Sequence, residues 1–452
     1  MMVFKHWMRI MIKLKSYQED AIEAIKDGFN RHQRQYIEMP TGSGKTITFL
    51  HYAYHNSSKA LVLVPSIQLM HQVQISASNF YEDEEVSIKG GGINEAYEPT
   101  KLHICVVASL RGDYLDYINQ ADFDLIIIDE AHHSQSKIYQ RYLKDKKCKV
   151  LGVTATPDRS DGLFLTSILE KQTFKLSIAE MIENQHLSDI EAFSIKTHID
   201  LSDVDDHNGD FSINLLFKKL CTKSRNDMIL EIYKDKLIDR KTLIFCINIA
   251  HSKILTKLFE ENGISAAHID GSMNEGRKSE ILRLFRNGNI KVLFNCNILT
   301  EGFDEPSIDG MILARPTRSK TLFIQMVGRG LRLYPGKNNC RIIDVCDNHK
   351  ALANFGNLIP SYSGPPIDFM HSFGDLKKQA KQNELKILEY SIERAQLFSN
   401  DAMEKVEATH SMIEYLDSHG VRHYKPISFD EASFLIWYNE LKREYYGYNS
   451  KK

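Results

Sequence analysis

Ten short apolar runs punctuate this chain in two series of five: QYIEM, KALVLVP, HICVVAS, FDLIIIDE and KVLGVTAT, then KTLIFCI, SAAHID, IKVLFNCN, IDGMILA and CRIIDVCD. In the first series each run is followed by a turn signal and a stretch of helical period, which is the rhythm of a parallel sheet covered by helices. A run as uniformly apolar as Leu125–Ile128 has no polar face to offer water, so it must be buried on both sides. The pattern therefore predicts an α/β chain with two parallel-sheet domains. No sequence repeat links the two series, so any duplication is one of fold.

The polar, acidic stretch DLSDVDDHNGDF separates the series, and domains are expected over residues 13–190 and 191–360 behind an N-terminal arm, 1–12. The Pro- and Gly-bearing break LIPSYSGPPIDF closes the second. Beyond it DLKKQAKQNELKILEYSIERAQLF and DEASFLIWYNELKREYY are helical in period, which predicts a small helical segment over 361–452, a surface open to protein partners.

A chain of 452 residues that is 42% hydrophobic and 26% charged is too long for one core and too apolar for disorder. Its formal charge of -2 gives no global attraction to nucleic acid, yet leaves room for a locally basic groove. The seven cysteines include no C-x-x-C pair, and several lie inside apolar runs such as TLIFCINI, so they read as buried thiols in a reducing compartment. The N-terminus MMVFKHWMRIMIKLK carries charges every few residues and no continuous apolar core. A cytoplasmic protein without signal peptide or membrane span is expected.

Chemistry concentrates in three places. TGSGKT lies between a strand-like run and the helical TITFLHYAYH, the context a phosphate-binding loop requires. In that reading Thr41, Gly42, Ser43 and Gly44 turn backbone N–H groups toward phosphate, Lys45 reaches the β/γ oxygens of ATP, and Thr46 offers its hydroxyl to Mg²⁺. The strict pattern wants glycine at its first position, where this chain has Met39. In FDLIIIDEAHH a buried strand ends in two carboxylates, with Asp129 placed to hold Mg²⁺ and Glu130 to orient or deprotonate a water. In QMVGRGLRL, Gln325 precedes Arg329 and Arg332, and two arginines at i and i+3 are expected to share a helical face and point at one anion. Lying in the second domain, they would reach the γ-phosphate from outside the domain that carries the loop. Asp368, Glu384 and Lys386 faintly echo a nuclease pattern, but the helical period of their segment argues against it. No histidine has cysteine or carboxylate partners at ligand spacing, so Mg²⁺ is the only metal expected.

The succession TGSGKT, LVLVPS, DEAH, TAT, TLIFC, TEGFDEP and QMVGRGLR resembles motifs I, Ia, II, III, IV, V and VI of the superfamily 2 helicases over residues 14 to 350. LKSYQEDAIEAI is similar to the opening of the group that contains Ssl2-like, UvsW-like and RadD-like DNA motors and restriction translocase subunits. The resemblance implies two tandem RecA-like domains with ATP and Mg²⁺ in the cleft between them. It implies an ATP-dependent DNA helicase or translocase serving repair, recombination, replication or restriction, with an RNA helicase, a nuclease-associated motor or an ATP-gated clamp as alternatives. It assigns adenine contact to Tyr17 and Gln18 and coupling to His132, Thr154 and Thr156. Strand contacts fall to Ser66, Gly91, Gly92 and Thr300, and nucleotide coupling to Gly302 and Asp304. Lys15 stands where the related opening carries arginine.

Overall fold

The computed structural model describes residues 12–90, 100–134, 136–157, 165, 168–194, 201, 204, 206–207, 210–296, 305–346, 371–372 and 417–418. They form two compact units. Of the described residues, the first unit holds those up to Leu187 and those from Lys320 to Arg329, and the second holds the rest.

The first unit is built on seven strands, β1 (Arg34–Glu38), β2 (Ala60–Val64), β3 (Val86–Lys89), β4 (Leu102–Val106), β5 (Leu125–Asp129), β6 (Lys149–Thr154) and β7 (Lys171–Lys175). All pair in parallel, in the order β3-β4-β2-β5-β6-β1-β7. Leu125 is 2% exposed and Ile126, Ile127 and Ile128 are 0% exposed, as two-sided cover demands; each such side chain contributes about 1.5–3 kcal/mol. Because β6 lies between β5 and β1, the C-terminal ends of these three strands stand side by side. The chain passes over β6 and β5 on its way from β1 to β2. Ligands of open α/β sheets bind at such an edge.

The second unit opens with β8 (Asp189–Ser194) and a hairpin of β9 (Asp206–His207) and β10 (Asp210–Phe211). Then come β11 (Thr242–Phe245), β12 (Ala266–Ile269), β13 (Val292–Asn295), β14 (Gly310–Leu313), β15 (Asn339–Asp344) and β16 (His371–Ser372). Its sheet runs β12-β13-β11-β14-β15-β8-β16, parallel except for β16, which lies antiparallel to β8. Behind it the rings of Tyr233 and Phe259 lie 5.2 Å apart, and those of Phe259 and Phe294 meet edge to face at 4.9 Å.

Two parallel-sheet α/β domains are thus present, as the apolar runs predict. Strands β3, β7, β8, β9, β10 and β16 add to that pattern. Strand β8 precedes the polar stretch DLSDVDDHNGDF, and its buried Ile190 and Ala192 alternate with Asp189, Glu191 and Phe193. Apart from residues 371–372 and 417–418, the expected helical segment 361–452 lies outside the described residues, as does the arm up to residue 11. No helix among the described residues is long and apolar enough to cross a membrane.

Candidate nucleotide site

The loop that follows β1 is held open by its glycines. Gly42 and Gly44 have φ of 87° and 77°, a region side chains rarely enter, and a Cβ on Gly44 would sit 2.5 Å from Gln18 Nε2. The helix Lys45–Asn56 begins at once, its first internal bond running from Thr48 N–H to the Gly44 carbonyl at 3.0 Å. The earlier N–H groups have no acceptor inside the helix, and such a terminus suits an anion. Met39 is 0% exposed and donates its N–H to the Thr154 carbonyl at 2.9 Å, so this position is a core position and needs volume, not backbone freedom.

The rear of the loop is braced by the helix Ser16–Phe29. Tyr17 Oη donates to the Ser43 carbonyl at 3.0 Å, and Gln18 Nε2 donates to the Ser43 and Gly44 carbonyls at 3.3 and 3.4 Å. Gln18 Oε1 accepts from Lys15 N–H at 3.0 Å, which fixes the amide's orientation. His186 packs on the Tyr17 ring with centroids 4.8 Å apart, a contact no sequence signal announces. The polar ends of both residues given to adenine by resemblance are therefore engaged with loop backbone.

Opposite the loop, β5 delivers Asp129 and Glu130, which are 3% and 7% exposed. Glu130 N–H donates to Asp129 Oδ1 at 3.0 Å, and Glu130 itself has a left-handed backbone, φ 50°. Non-glycine residues occupy that region only where surroundings enforce it. The Lys45 ammonium lies 3.1 Å from Glu130 Oε1, with the two side chains 11% and 10% exposed. Burial opposes ionisation of Glu130, but Lys45 and His132, with a further contribution from Arg329, outweigh it and hold the carboxyl well below its ordinary value.

His132 Nδ1 lies 3.1 Å from Thr154 Oγ1 and 3.5 Å from Glu130 Oε2. Thr154 Oγ1 donates to the Thr156 carbonyl at 3.0 Å and accepts from Thr156 N–H at 3.1 Å. With its hydroxyl proton thus used, Thr154 must accept from His132, which puts a proton on Nδ1. A continuous path runs from Glu130 through His132 to the end of β6.

Three buried oxygens here, Ser43 Oγ, Glu130 Oε2 and Thr156 Oγ1, have no hydrogen-bond partner among the described residues. Unsatisfied buried oxygens are costly, and these three belong to the loop and to the ends of β5 and β6. Asp129 and Thr46 supply hard oxygen donors that fit Mg²⁺. Among the described residues no group of three or more His, Cys, Asp or Glu could hold a metal ion.

The helix that carries Gln325 spans Lys320–Gly328, and this corrects the expectation of a shared helical face. Arg329 and Arg332 both lie beyond its end. Gly328 and Gly330 flank Arg329, and two poor helix formers in three residues stop the helix. Both glycines are also sterically required: a Cβ on Gly328 would meet Thr41 Cβ at 2.8 Å, and one on Gly330 would meet Cys340 and Met311 sulfurs at 2.4 Å. Gln325 and Arg329, each 5% exposed, group with the unit that holds the phosphate loop, and Arg332 groups with the second unit.

Ser66 caps the helix Ile67–Ala77, its Oγ accepting from Leu69 N–H at 3.3 Å. Gly91, Gly92, Thr300, Gly302 and Asp304 lie outside the described residues, as do Asp368, Glu384 and Lys386.

Residues 11–159 match the family described as type III restriction enzyme, res subunit, and residues 224–334 match the helicase conserved C-terminal domain. A Saccharomyces cerevisiae protein named as an ATP-dependent helicase, IRC3, is 32% identical over 431 residues, covering 90% of this chain and 62% of that protein. A Schizosaccharomyces pombe protein named as a mitochondrial ATP-dependent helicase is 31% identical over 394 residues, covering 83% and 64%. The chain thus spans under two thirds of the length of either relative. A solved ATP-dependent type ISP restriction-modification enzyme bound to DNA, LlaBIII, shares the fold with a TM-score of 0.59 at 19% identity, covering 93% of this chain and 37% of that one. With both helicase domains in sequence on two parallel α/β sheets, the chain belongs to the superfamily 2 helicases.

Proposed function

We propose that this chain is an ATP-dependent DNA helicase or translocase of the DEAH class, hydrolysing ATP at the loop after β1. The observation that carries the reading is the ion pair between Lys45 and Glu130, 3.1 Å long, at the mouth of a glycine loop that opens a helix. A triphosphate reaching that helix terminus draws the Lys45 ammonium onto its β/γ oxygens and away from Glu130. Loss of that partner raises the Glu130 pKa, so the carboxylate becomes a stronger base as the substrate arrives. Glu130 then orients a water and takes its proton. His132 and Thr154 transmit the change to Thr156 at the end of β6. Arg329 and Arg332 stabilise charge on the transferred phosphoryl group. Thr46 and Asp129 would hold Mg²⁺, which neutralises phosphate charge. Gln325, Gly302 and Asp304 are proposed for the nucleotide machinery, and contact with the strand is proposed for Ser66, Gly91, Gly92 and Thr300.

DNA as the track is supported by the relatives: LlaBIII is described as bound to DNA, and the matched res-subunit family belongs to restriction enzymes. None of the seven cysteines forms a disulfide, which fits a reducing compartment such as the cytoplasm. The decisive experiment compares ATPase turnover with single-stranded DNA, duplex DNA, forked DNA and RNA. Stimulation by DNA is expected, and stimulation by RNA alone would replace DNA with RNA. Strand displacement then identifies a helicase, and triplex displacement without unwinding identifies a translocase.

A further inference from the structure

The turn after Gly328 is tied down by two residues that no motif contains. The Lys337 ammonium donates to the carbonyls of Gly330 at 2.6 Å, Arg332 at 2.8 Å and Pro306 at 3.2 Å. Ser188 donates its N–H to the Leu331 carbonyl at 2.7 Å and its hydroxyl to the Arg332 carbonyl at 2.9 Å. Three consecutive carbonyls, of Gly330, Leu331 and Arg332, are therefore held from two sides. An ammonium has three donors, and here all three go to backbone oxygen.

Local sequence explains why Lys337 can reach. Tyr334-Pro335-Gly336-Lys337 closes with Lys337 N–H to the Tyr334 carbonyl at 3.0 Å, and Gly336 has φ 82°. Proline at the second position and a positive-φ glycine at the third are the marks of a type II turn. The turn folds the chain back so that the side chain lies under the segment it has just left. Burial lowers the pKa of the ammonium. Among the described residues its hydrogen bonds go to carbonyl oxygens, with the Asp309 carboxylate acting on it only electrostatically, so what it offers the protein is geometry.

We propose that Lys337 and Ser188 are positioning residues for phosphoryl transfer: they fix the backbone from Gly330 to Arg332 and so aim the Arg332 guanidinium. Through Pro306, Lys337 also joins this turn to the end of the TEGFDEP segment. Ser188 is the residue at which the chain enters the second unit, so the anchor of the arginine turn begins where that unit begins. The inference rests on the ATPase reading above, and its tests separate the two.

The test takes the full chain through Lys337→Met, which keeps the aliphatic stem, and through Ser188→Ala. In wild type and Lys337→Met, hydrogen exchange is followed in peptides covering residues 328–337. Faster exchange confined to this turn is expected, and unchanged exchange overturns the clamp whatever the ATPase does. In steady-state hydrolysis Lys337→Met is expected to lower kcat by roughly ten- to a hundredfold with KM for ATP within about twofold, the signature of misplacement rather than lost binding. Lys337→Arg places a planar fork where a compact ammonium is needed and should restore little of the loss. Lys337→Met is expected to cost nothing further in an Arg332→Ala background. Additive losses overturn the assignment, because a lysine acting only on stability has no reason to work through Arg332. Should Lys337→Met fail to fold, Ser188→Ala decides alone: a severalfold fall in kcat, absent beside Arg332→Ala, supports the clamp, and full kcat refutes it. Absence of ATPase in wild type removes the proposed function and leaves the exchange experiment standing.

Discussion

At the scale of single residues, the Lys45–Glu130 pair links stability to the chemistry proposed for the site. The carboxyl of Glu130 titrates below its ordinary value of 4.5 in the folded chain. Its stabilising contribution is therefore complete above pH 4.5 and is lost as pH falls toward the depressed folded value. Urea midpoints of wild type and Glu130→Gln, followed from neutral pH downward, should show the wild type losing ground to the variant once pH passes below 4.5. A pH-independent gap would contradict the linkage. Lys45→Ala strands a buried carboxylate, which costs about 3–5 kcal/mol for a fully buried pair. The double variant with Glu130→Gln should recover part of that stability, and both variants should lack ATPase activity. That these residues come together was legible from residue type and spacing, since Lys45 and Glu130 do meet at the edge where Asp129 ends its strand. The left-handed backbone of Glu130 and the buried state of Met39 were not, because each is set by what packs around it.

Among the elements, the helix Ser16–Phe29 acts as a brace for the phosphate loop. Gln18 binds its own helix start through Lys15 and the loop through the Ser43 and Gly44 carbonyls, so one amide joins three pieces of backbone. Gln18→Ala is expected to lower stability by about 1 kcal/mol and to weaken ATP binding severalfold, read by thermal melts and by nucleotide titration. An unchanged affinity would show that the loop holds its shape alone. Sequence pattern found the strands of the ten apolar runs and missed β3, β7, β8, β9, β10 and β16. In β7 the sequence KQTFK leaves no residue fully buried, and in β8 only Ile190 and Ala192 are among the described residues. Short half-covered strands carry little periodic signal. The end of the helix before Arg329 is written in Gly328 and Gly330, but the hold on the turn beyond it was hidden, because Ser188 lies far away in sequence and Lys337 belongs to no motif.

For the whole molecule, the role proposed for Arg332 in phosphoryl transfer makes a kinetic demand. Arg332→Ala should slow hydrolysis by roughly 10³-fold while changing ATP affinity little, measured by single-turnover hydrolysis beside equilibrium nucleotide binding. Equal losses in both would make Arg332 a binding residue. The first unit is discontinuous in sequence: it recruits Lys320–Arg329 from more than a hundred residues beyond Leu187, and Gly328 fits against Thr41 where no other residue would. The protein therefore cannot be halved with scissors at residue 187. A fragment ending there loses the helix that completes its own unit, and the remainder carries that helix without its seat. Two half-chains synthesised apart should behave as sticky partial domains that recover order only on mixing, so this motor has two units but a single indivisible message.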